Sequence, residues 1–170
     1  MLTAASAPSG ANLQPWFFAV VTSANIKQQI REIVEKEERI NYERRMSEEW
    51  KKDLQKIGTD WQKEYLTTAP VLIVAFEQKY SYRADGTKQT HYYHELSFAI
   101  ACGLLVAAIH NAGLVTLTST PLNAGPMLRQ LLGRPDSEKV QLLLPVGRPA
   151  ADATVPNITR KPLDEVCAMY

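Results

Sequence analysis

The run Phe98-Ala-Ile-Ala-Cys-Gly-Leu-Leu-Val-Ala-Ala-Ile109 carries no full charge and no strongly hydrogen-bonding side chain. Crossing a bilayer takes about 20 apolar residues, and this run is shorter. It lacks the β-branched density and bracketing turns of a buried strand. It reads as a helix, and a helix that is apolar all round must be covered on nearly every side. Ala99, Ala101, Gly103, Ala107 and Ala108 allow other backbones to come close. A chain of 170 residues has little mass to wrap such a helix, so part of its cover is expected from a second subunit.

The remaining bulk properties narrow the function classes. Hydrophobic residues make up 45% of the chain and charged residues 22%, the balance of one folded globular domain. The net charge is +1 and there is no basic block, so nucleic acid has no electrostatic footprint here. Cys102 and Cys167 make no disulfide framework, and Cys102 lies inside the apolar run. No signal peptide or membrane span is recognisable, and the chain reads as soluble and cytoplasmic. Residues 1–10 look like sequence from inside a domain, with no lead-in element.

Residues 6–14 form a turn region, followed by a strand over 16–21 from its aromatic and β-branched content. Ser23 stands at an N-cap position. Behind it Ile26, Ile30, Ile33, Val34 and Ile40 predict an amphipathic helix reaching about Asn41. Residues 42–64 are long and charged, with isolated Trp50, Leu54, Ile57 and Trp61, and are expected to be the mobile part. A strand covered on both faces is expected over 71–76, then a polar loop over 80–90 turning at Asp85-Gly86. The apolar helix starts near Tyr92 or Tyr93 and stops at Asn111-Ala-Gly113. Strands follow over 115–120 and 140–147, with a short helix over 126–132 between them. Pro145 argues that the last strand meets an edge or a bulge. The tail from 148 is too polar to be core by itself.

Several patterns could carry chemistry. The turn Ala7-Pro-Ser-Gly-Ala-Asn12 offers backbone N–H groups on either side of a glycine, either as a plain turn or as a cradle for an anionic or carbonyl group. Thr116, Thr118 and Thr120 alternate along the expected strand, an exposed sheet face or a row of hydroxyls, with Ser119 opposite. Glu38 and Tyr42 lie four apart on one helix face with Lys63 beyond the mobile stretch. A carboxylate, a phenol and an ammonium can grip a zwitterion, or simply decorate a solvated helix. His91 and His94 are three apart but lack a third metal ligand, so they read as a solvated helix start.

Longer motifs bind these pieces together. They are Ala7-Pro-Ser-Gly-Ala11 before Pro15-Trp16, Glu38-Arg-Ile-Asn-Tyr42, Lys63-Glu-Tyr-Leu66 before Ala69-Pro70, and His91-Tyr-Tyr93. Ala101-Cys-Gly-Leu-Leu105, Asn111-Ala-Gly-Leu-Val115, Thr120-Pro-Leu-Asn123, Leu132-Gly-Arg-Pro135, Leu144-Pro-Val-Gly147 and Arg160-Lys-Pro-Leu163 follow in order. Over nearly the whole chain this set resembles the nitroreductase-like flavoproteins, and within them the iodotyrosine deiodinases. The resemblance implies an α+β fold, a mostly antiparallel sheet flanked by helices, in an intertwined homodimer with FMN at the interface and the tail crossing to the partner. It implies reductive removal of iodide from mono- and diiodotyrosine, with NADPH, directly or through a reductase, as the ultimate electron source.

By position, the resemblance assigns Pro8, Ser9, Gly10, Thr118, Ser119, Thr120 and Arg160 to the flavin. Thr120 is implied as the catalytic donor to flavin N5, favouring one-electron chemistry. The backbone N–H of Ala11 is implied to hold the substrate phenolate, and Glu38, Tyr42 and Lys63 its ammonium and carboxylate. Substrate would then order residues 42–64 into a lid. The family's arginine-rich stretch, Arg-Arg-Ser-x-Arg, and the N-terminal membrane anchor of its animal members would both lie upstream of residue 1. The chain is therefore expected to be an N-terminally truncated single nitroreductase-like domain. Two or three lost charge-assisted bonds would weaken FMN binding by a factor on the order of a thousand. Two alternatives stay open: a general FMN nitroreductase or quinone reductase, and a non-catalytic form that binds FMN weakly.

Overall fold

In the computed structural model, which describes residues 1–170, helices and strands alternate irregularly along the chain. They are α1 (Leu2–Ala5), β1 (Trp16–Val21), α2 (Ala24–Ile40), α3 (Glu48–Lys56), α4 (Tyr65–Thr68), β2 (Val71–Gln78), β3 (Tyr80–Tyr82) and β4 (Lys88–Thr90). Then come α5 (His94–Asn111), β5 (Val115–Thr116), α6 (Gly125–Leu131) and β6 (Glu138–Gly147). A π-helical turn, Asn41–Arg45, prolongs α2. The main sheet runs β1-β2-β6-β5, with every pairing antiparallel. The fold is α+β, an antiparallel sheet with helices on both faces.

Strand β2 shows why both faces need cover. Leu72, Val74 and Phe76 point into a core shared with Ile30 and Val34 of α2 and Leu128 of α6. Ile73 and Ala75 point the other way, toward Leu105 and Ile109 or Phe98 and Ala101 of α5. Each Leu, Ile or Phe so buried contributes about 1.5–3 kcal/mol. In β6 a bulge opposite Ala75 and Phe76 leaves Gln141 without a partner in the ladder. The extra residue explains how Val140 and Leu143, three apart, share one face.

Helix α5 is half built into this core. Ser97, Phe98, Ala101, Cys102, Leu105 and Ile109 are buried. Leu96, Ala99, Ile100, Gly103 and Ala107 form an uncovered stripe at helical spacing. The expectation of all-round cover is therefore met on one side only within a single chain. By length and composition α5 is the one helix that could cross a membrane, although its inner face serves as core.

Four expectations are corrected. Residues 1–10 do contain an element, because Ala4 is small enough to seat α1 against the α5 side of the sheet, fully buried beside Leu105 and Ile109. The polar loop over 80–90 is a hairpin, β3 against β4, in which T-shaped Tyr80–Tyr82 packing and Lys88 over the Tyr80 ring supply cross-strand contacts. His91 is buried: Nδ1 lies 2.9 Å from the Gln78 carbonyl and Nε2 3.0 Å from Ser81 Oγ, tying that hairpin to β2. The strand expected over 115–120 pairs continuously only at Val115–Thr116, and Ser119 rejoins β6 as an isolated bridge to Leu143.

Two outcomes test this packing. A Cβ at Gly10 would lie 2.7 Å from the Tyr92 carbonyl oxygen, so Gly10→Ala should lower stability by about 1–3 kcal/mol, read as an earlier urea midpoint. Burial pushes the Cys102 thiol up to about 12, whereas Cys167 is exposed. At pH 8 a thiol reagent should therefore label one cysteine quickly and the second only after denaturation.

Candidate functional site

A cavity of about 1080 Å³ opens between the end of α2, residues 57–65, α5, the loop after β5 and the tail. Helix α2 forms because Ser23 caps it and its apolar residues share one stripe, leaving an adjacent face of polar side chains. That face latches the segment 59–63 at three points. Glu35 Oε1 accepts from the Lys63 backbone N–H at 2.7 Å, Lys63 Nζ lies 3.8 Å from Glu38 Oε2, and Tyr42 Oη donates to the Thr59 carbonyl at 3.3 Å. Glu38 and Tyr42, about one helical turn apart, thus meet Lys63 from beyond the intervening segment on one wall of the cavity.

Their electrostatics follow from this enclosure. Lys63 is only 6% exposed, and burial pulls its pKa below the ordinary lysine value, opposed by Glu38, Asp60 and Glu35. Its ammonium donates to Thr59 Oγ1 at 3.1 Å and to the Asp60 carbonyl. Burial, with Glu38 and Asp60 nearby, raises the Tyr42 pKa, so the phenol keeps its proton at neutral pH and remains a donor. A carboxylate, an ammonium and a phenol at one spot match the two charged ends of an amino acid.

Thr118 and Thr120 flank Ser119, whose backbone exchanges bonds of 3.1 and 2.8 Å with Leu143. Both threonines are exposed and line this cavity and a second of about 580 Å³ that runs along α5 past Ala99 and Gly103. Thr116 lines the first cavity with them, its Oγ1 donating to the Leu117 carbonyl at 3.3 Å. Ser119 lines the first cavity rather than the opposite face. Burial raises the pKa of Tyr65 on the same wall, while a hydrogen bond with Ser119 opposes the shift.

The turn at Pro8, Ser9, Gly10 and Ala11 docks on the start of α5 and lines neither cavity. Gly10 N donates to Ser97 Oγ at 3.3 Å, Asn12 N to the Ser9 carbonyl at 3.0 Å, Leu13 N to the Gly10 carbonyl at 3.1 Å and Gln14 N to Ser9 Oγ at 2.9 Å. In this run the Ser9 and Ala11 N–H groups have no acceptor in the chain. Ala11, an exposed residue, is held at φ 51, and Asn12 and Gln14 also have positive φ, so its N–H is an unused donor at the surface.

Arg160 lines the first cavity with Val155, Pro156 and Ile158 of the tail, although the whole tail is solvent-exposed. Met46, Trp50, Leu54 and Ile57 line it too. Sequence reading saw the last three as isolated apolar residues, whereas their spacing of four and three is a helical stripe. Glu77, His94 and Glu95 bring possible metal-ligand atoms within 4.8 Å of one another. Both Glu77 oxygens are already engaged, one by His94 and one by Gln141.

The sequence model of the Nitroreductase family matches residues 1–148. The chain is 56% identical over 166 residues to an iodotyrosine deiodinase of Nematostella vectensis, covering 98% of this chain and 63% of that protein. It is 57% identical over 164 residues to human iodotyrosine deiodinase 1, covering 96% of this chain and 57% of that protein. The chain thus spans about three fifths of the length of the curated relatives it matches. A crystal structure of oxidized iodotyrosine deiodinase bound to FMN and 3-iodo-L-tyrosine superposes with a TM-score of 0.80 at 29% identity, covering 94% of this chain and 80% of that one. A BluB-like flavoprotein of Clostridium difficile shares the fold, with a TM-score of 0.71 at 19% identity over 99% of this chain and 85% of that one. With the family's pattern running from residue 1 to residue 148 over a sheet and helices that recur in these flavoproteins, the chain belongs to the nitroreductase family.

Proposed function

We propose that this chain carries out FMN-dependent reductive deiodination of mono- and diiodotyrosine, releasing iodide and tyrosine. The observation that carries the reading is the meeting of Glu38, Tyr42 and Lys63 in one cavity that also reaches Thr118, Ser119 and Thr120. A nitroarene or a quinone has no charged backbone end for such a cluster to bind. The likeness to iodotyrosine deiodinases over 96–98% of the chain supports the same substrate class.

The residues present fit a flavin. The two adjoining cavities share Val106, Thr118 and Thr120, an apolar wall beside two hydroxyls suited to a flat polar-edged ring. Thr118, Ser119, Thr120 and the Pro8-Ser9-Gly10 turn would hold that ring, and Arg160 is the cation available to the phosphate. When bound and reduced, FMN would supply the two electrons with which the C–I bond breaks, iodide leaving and a proton completing the new C–H bond. NADPH is the ultimate source of those electrons, directly or through a reductase.

The protein's own part is to bind and orient. Lys63 meets the substrate carboxylate, Glu38 its ammonium, and Tyr42 donates to the carboxylate. The free Ala11 N–H donates to the phenolate, stabilising negative charge next to the reacting ring. Since the Ala11 turn lines neither cavity within one chain, a second copy completes the site. The uncovered stripe Leu96–Ile100–Gly103 of α5 is the surface on which that homodimer forms. Helix α3 closes its apolar side over the bound ring and excludes water.

Protein loaded with FMN and reduced by dithionite should release iodide from 3-iodo-L-tyrosine, and a preparation that binds FMN but leaves iodide on the ring would overturn the reading. Lys63→Gln should weaken 3-iodo-L-tyrosine binding by roughly tenfold or more while leaving 2-iodophenol nearly unaffected, as titration calorimetry would show. Thr120→Ala should leave the affinity for 3-iodo-L-tyrosine in place and slow iodide release by about tenfold or more, measured in single turnover.

A further inference from the structure

The stretches Glu38–Tyr42 and Thr120–Asn123 each carry an asparagine for which the site described so far has no role. Asn41 opens the π-helical turn and is 3% exposed. Its Nδ2 donates to Glu38 Oε1 at 3.1 Å. Its Oδ1 accepts from Arg45 Nη1 at 2.9 Å and from Asn123 Nδ2 at 3.2 Å. Its backbone carbonyl accepts from the Met46 N–H at 2.9 Å, which closes the turn that carries Tyr42. Glu38 therefore has one carboxylate oxygen fixed from behind and the other, Oε2, turned toward Lys63.

Only an amide does this work. The position needs a donor toward a carboxylate and an acceptor toward Arg45 and Asn123, and an aspartate would set like charges face to face. Asn123 belongs to the loop that continues from Thr120, directly after Leu122, a non-glycine residue at φ 40 that lines the cavity. Such a conformation persists only where neighbours over-determine it. The Asn123–Asn41 bond is one of the restraints, and it joins the threonine loop to the end of α2.

We propose that Asn41 is a positioning residue that sets specificity for an amino-acid substrate. It aims the Glu38 carboxylate at the ligand's ammonium and, through Asn123, fixes that carboxylate relative to the loop bearing Thr118 and Thr120. The inference rests on the zwitterion reading above and adds to it what holds the clamp in register with the rest of the site.

The test compares FMN-loaded wild type, Asn41→Asp, Asn123→Leu and Asn123→Gln, with binding of 3-iodo-L-tyrosine and of 2-iodophenol measured by calorimetry. Asn41→Asp should raise Kd for 3-iodo-L-tyrosine about tenfold and Asn123→Leu about threefold, with Kd for 2-iodophenol unchanged in both. Asn123→Gln, which keeps the donor, should stay nearer to wild type than Asn123→Leu. Parallel weakening of both ligands, or no change in either, would overturn the inference and leave the parent reading standing. A wild type that binds the two ligands alike would remove the zwitterion reading, and this inference with it. If Asn41→Asp does not fold, the exposed Asn123 variants decide by the same ratio.

Discussion

Helix α5 must satisfy two apolar faces with one chain's worth of cover, and the rest of the molecule is arranged round that shortage. One face goes to the sheet, where Leu105 and Ile109 meet Ile73 and Leu144, and Phe98 and Ala101 meet Ala75 and Trp16. The start of the helix receives the Gly10 turn through Ser97. The other face carries Ala99, Gly103 and Val106 along the smaller cavity. A larger residue at position 103 would meet nothing in this chain, so the small side chain there is not required by the chain's own packing. Small residues on a helix face that looks onto a cavity and an uncovered stripe suit close approach by a second backbone and a flat ring.

The second organising element is polar. Helix α2 spends one face on the core and uses the next to hold the segment 59–63 through Glu35, Glu38 and Tyr42. Lys63 is buried by that latch rather than by an apolar wall, which is why an ammonium can sit at 6% exposure with three carboxylates near it. Its side chain donates to a threonine hydroxyl and a backbone carbonyl. An incoming carboxylate is a stronger partner than either, so a ligand can take Lys63 from its own loop without creating an unpaired charge. The region that sequence composition marks as mobile is thus anchored at its far end, while the residues of α3 are mostly exposed.

How much of this could be read beforehand depended on whether a signal was local. The periodicity of Ile26, Ile30, Ile33 and Val34 and the Ser23 cap placed α2 closely, because helix geometry alone dictates that spacing. The continuous apolar run in β2 revealed a two-faced strand for the same reason. The β3–β4 hairpin was missed because its strands are short and polar, held by aromatic pairing and by His91, contacts that join residues with no shared period. The lining role of Trp50, Leu54 and Ile57 was missed since a stripe without a visible partner looks like surface. Glu38, Tyr42 and Lys63 stood out by residue type and by the four-residue spacing of the first two, but family resemblance decided between a clamp and a solvated helix, and spacing by itself could not bring Lys63 across the intervening segment. Asn41 was passed over because its partners, Glu38, Arg45 and Asn123, lie on two separate elements.

The exposure of Thr118 and Thr120 follows from one residue in the neighbouring strand. The register pairs Val115 with Gly147, Thr116 with Val146 and Ser119 with Leu143, which places Leu117 opposite Pro145. Leu143 exchanges both its backbone bonds with Ser119, so by alternation Pro145 also faces that edge, where it has no N–H to give. On its other side β6 pairs with β2 through the residues between, and Pro145 costs that ladder nothing. The pairing with the 115–119 segment therefore lapses at Leu117 and resumes at Ser119 without losing register. An uninterrupted strand would have committed the backbone beside both threonines to a regular ladder. The break instead leaves residues 117 and 118 outside the ladder between Thr116 and the Ser119 bridge, with a threonine hydroxyl on each side of Ser119 and cavity space in front of both.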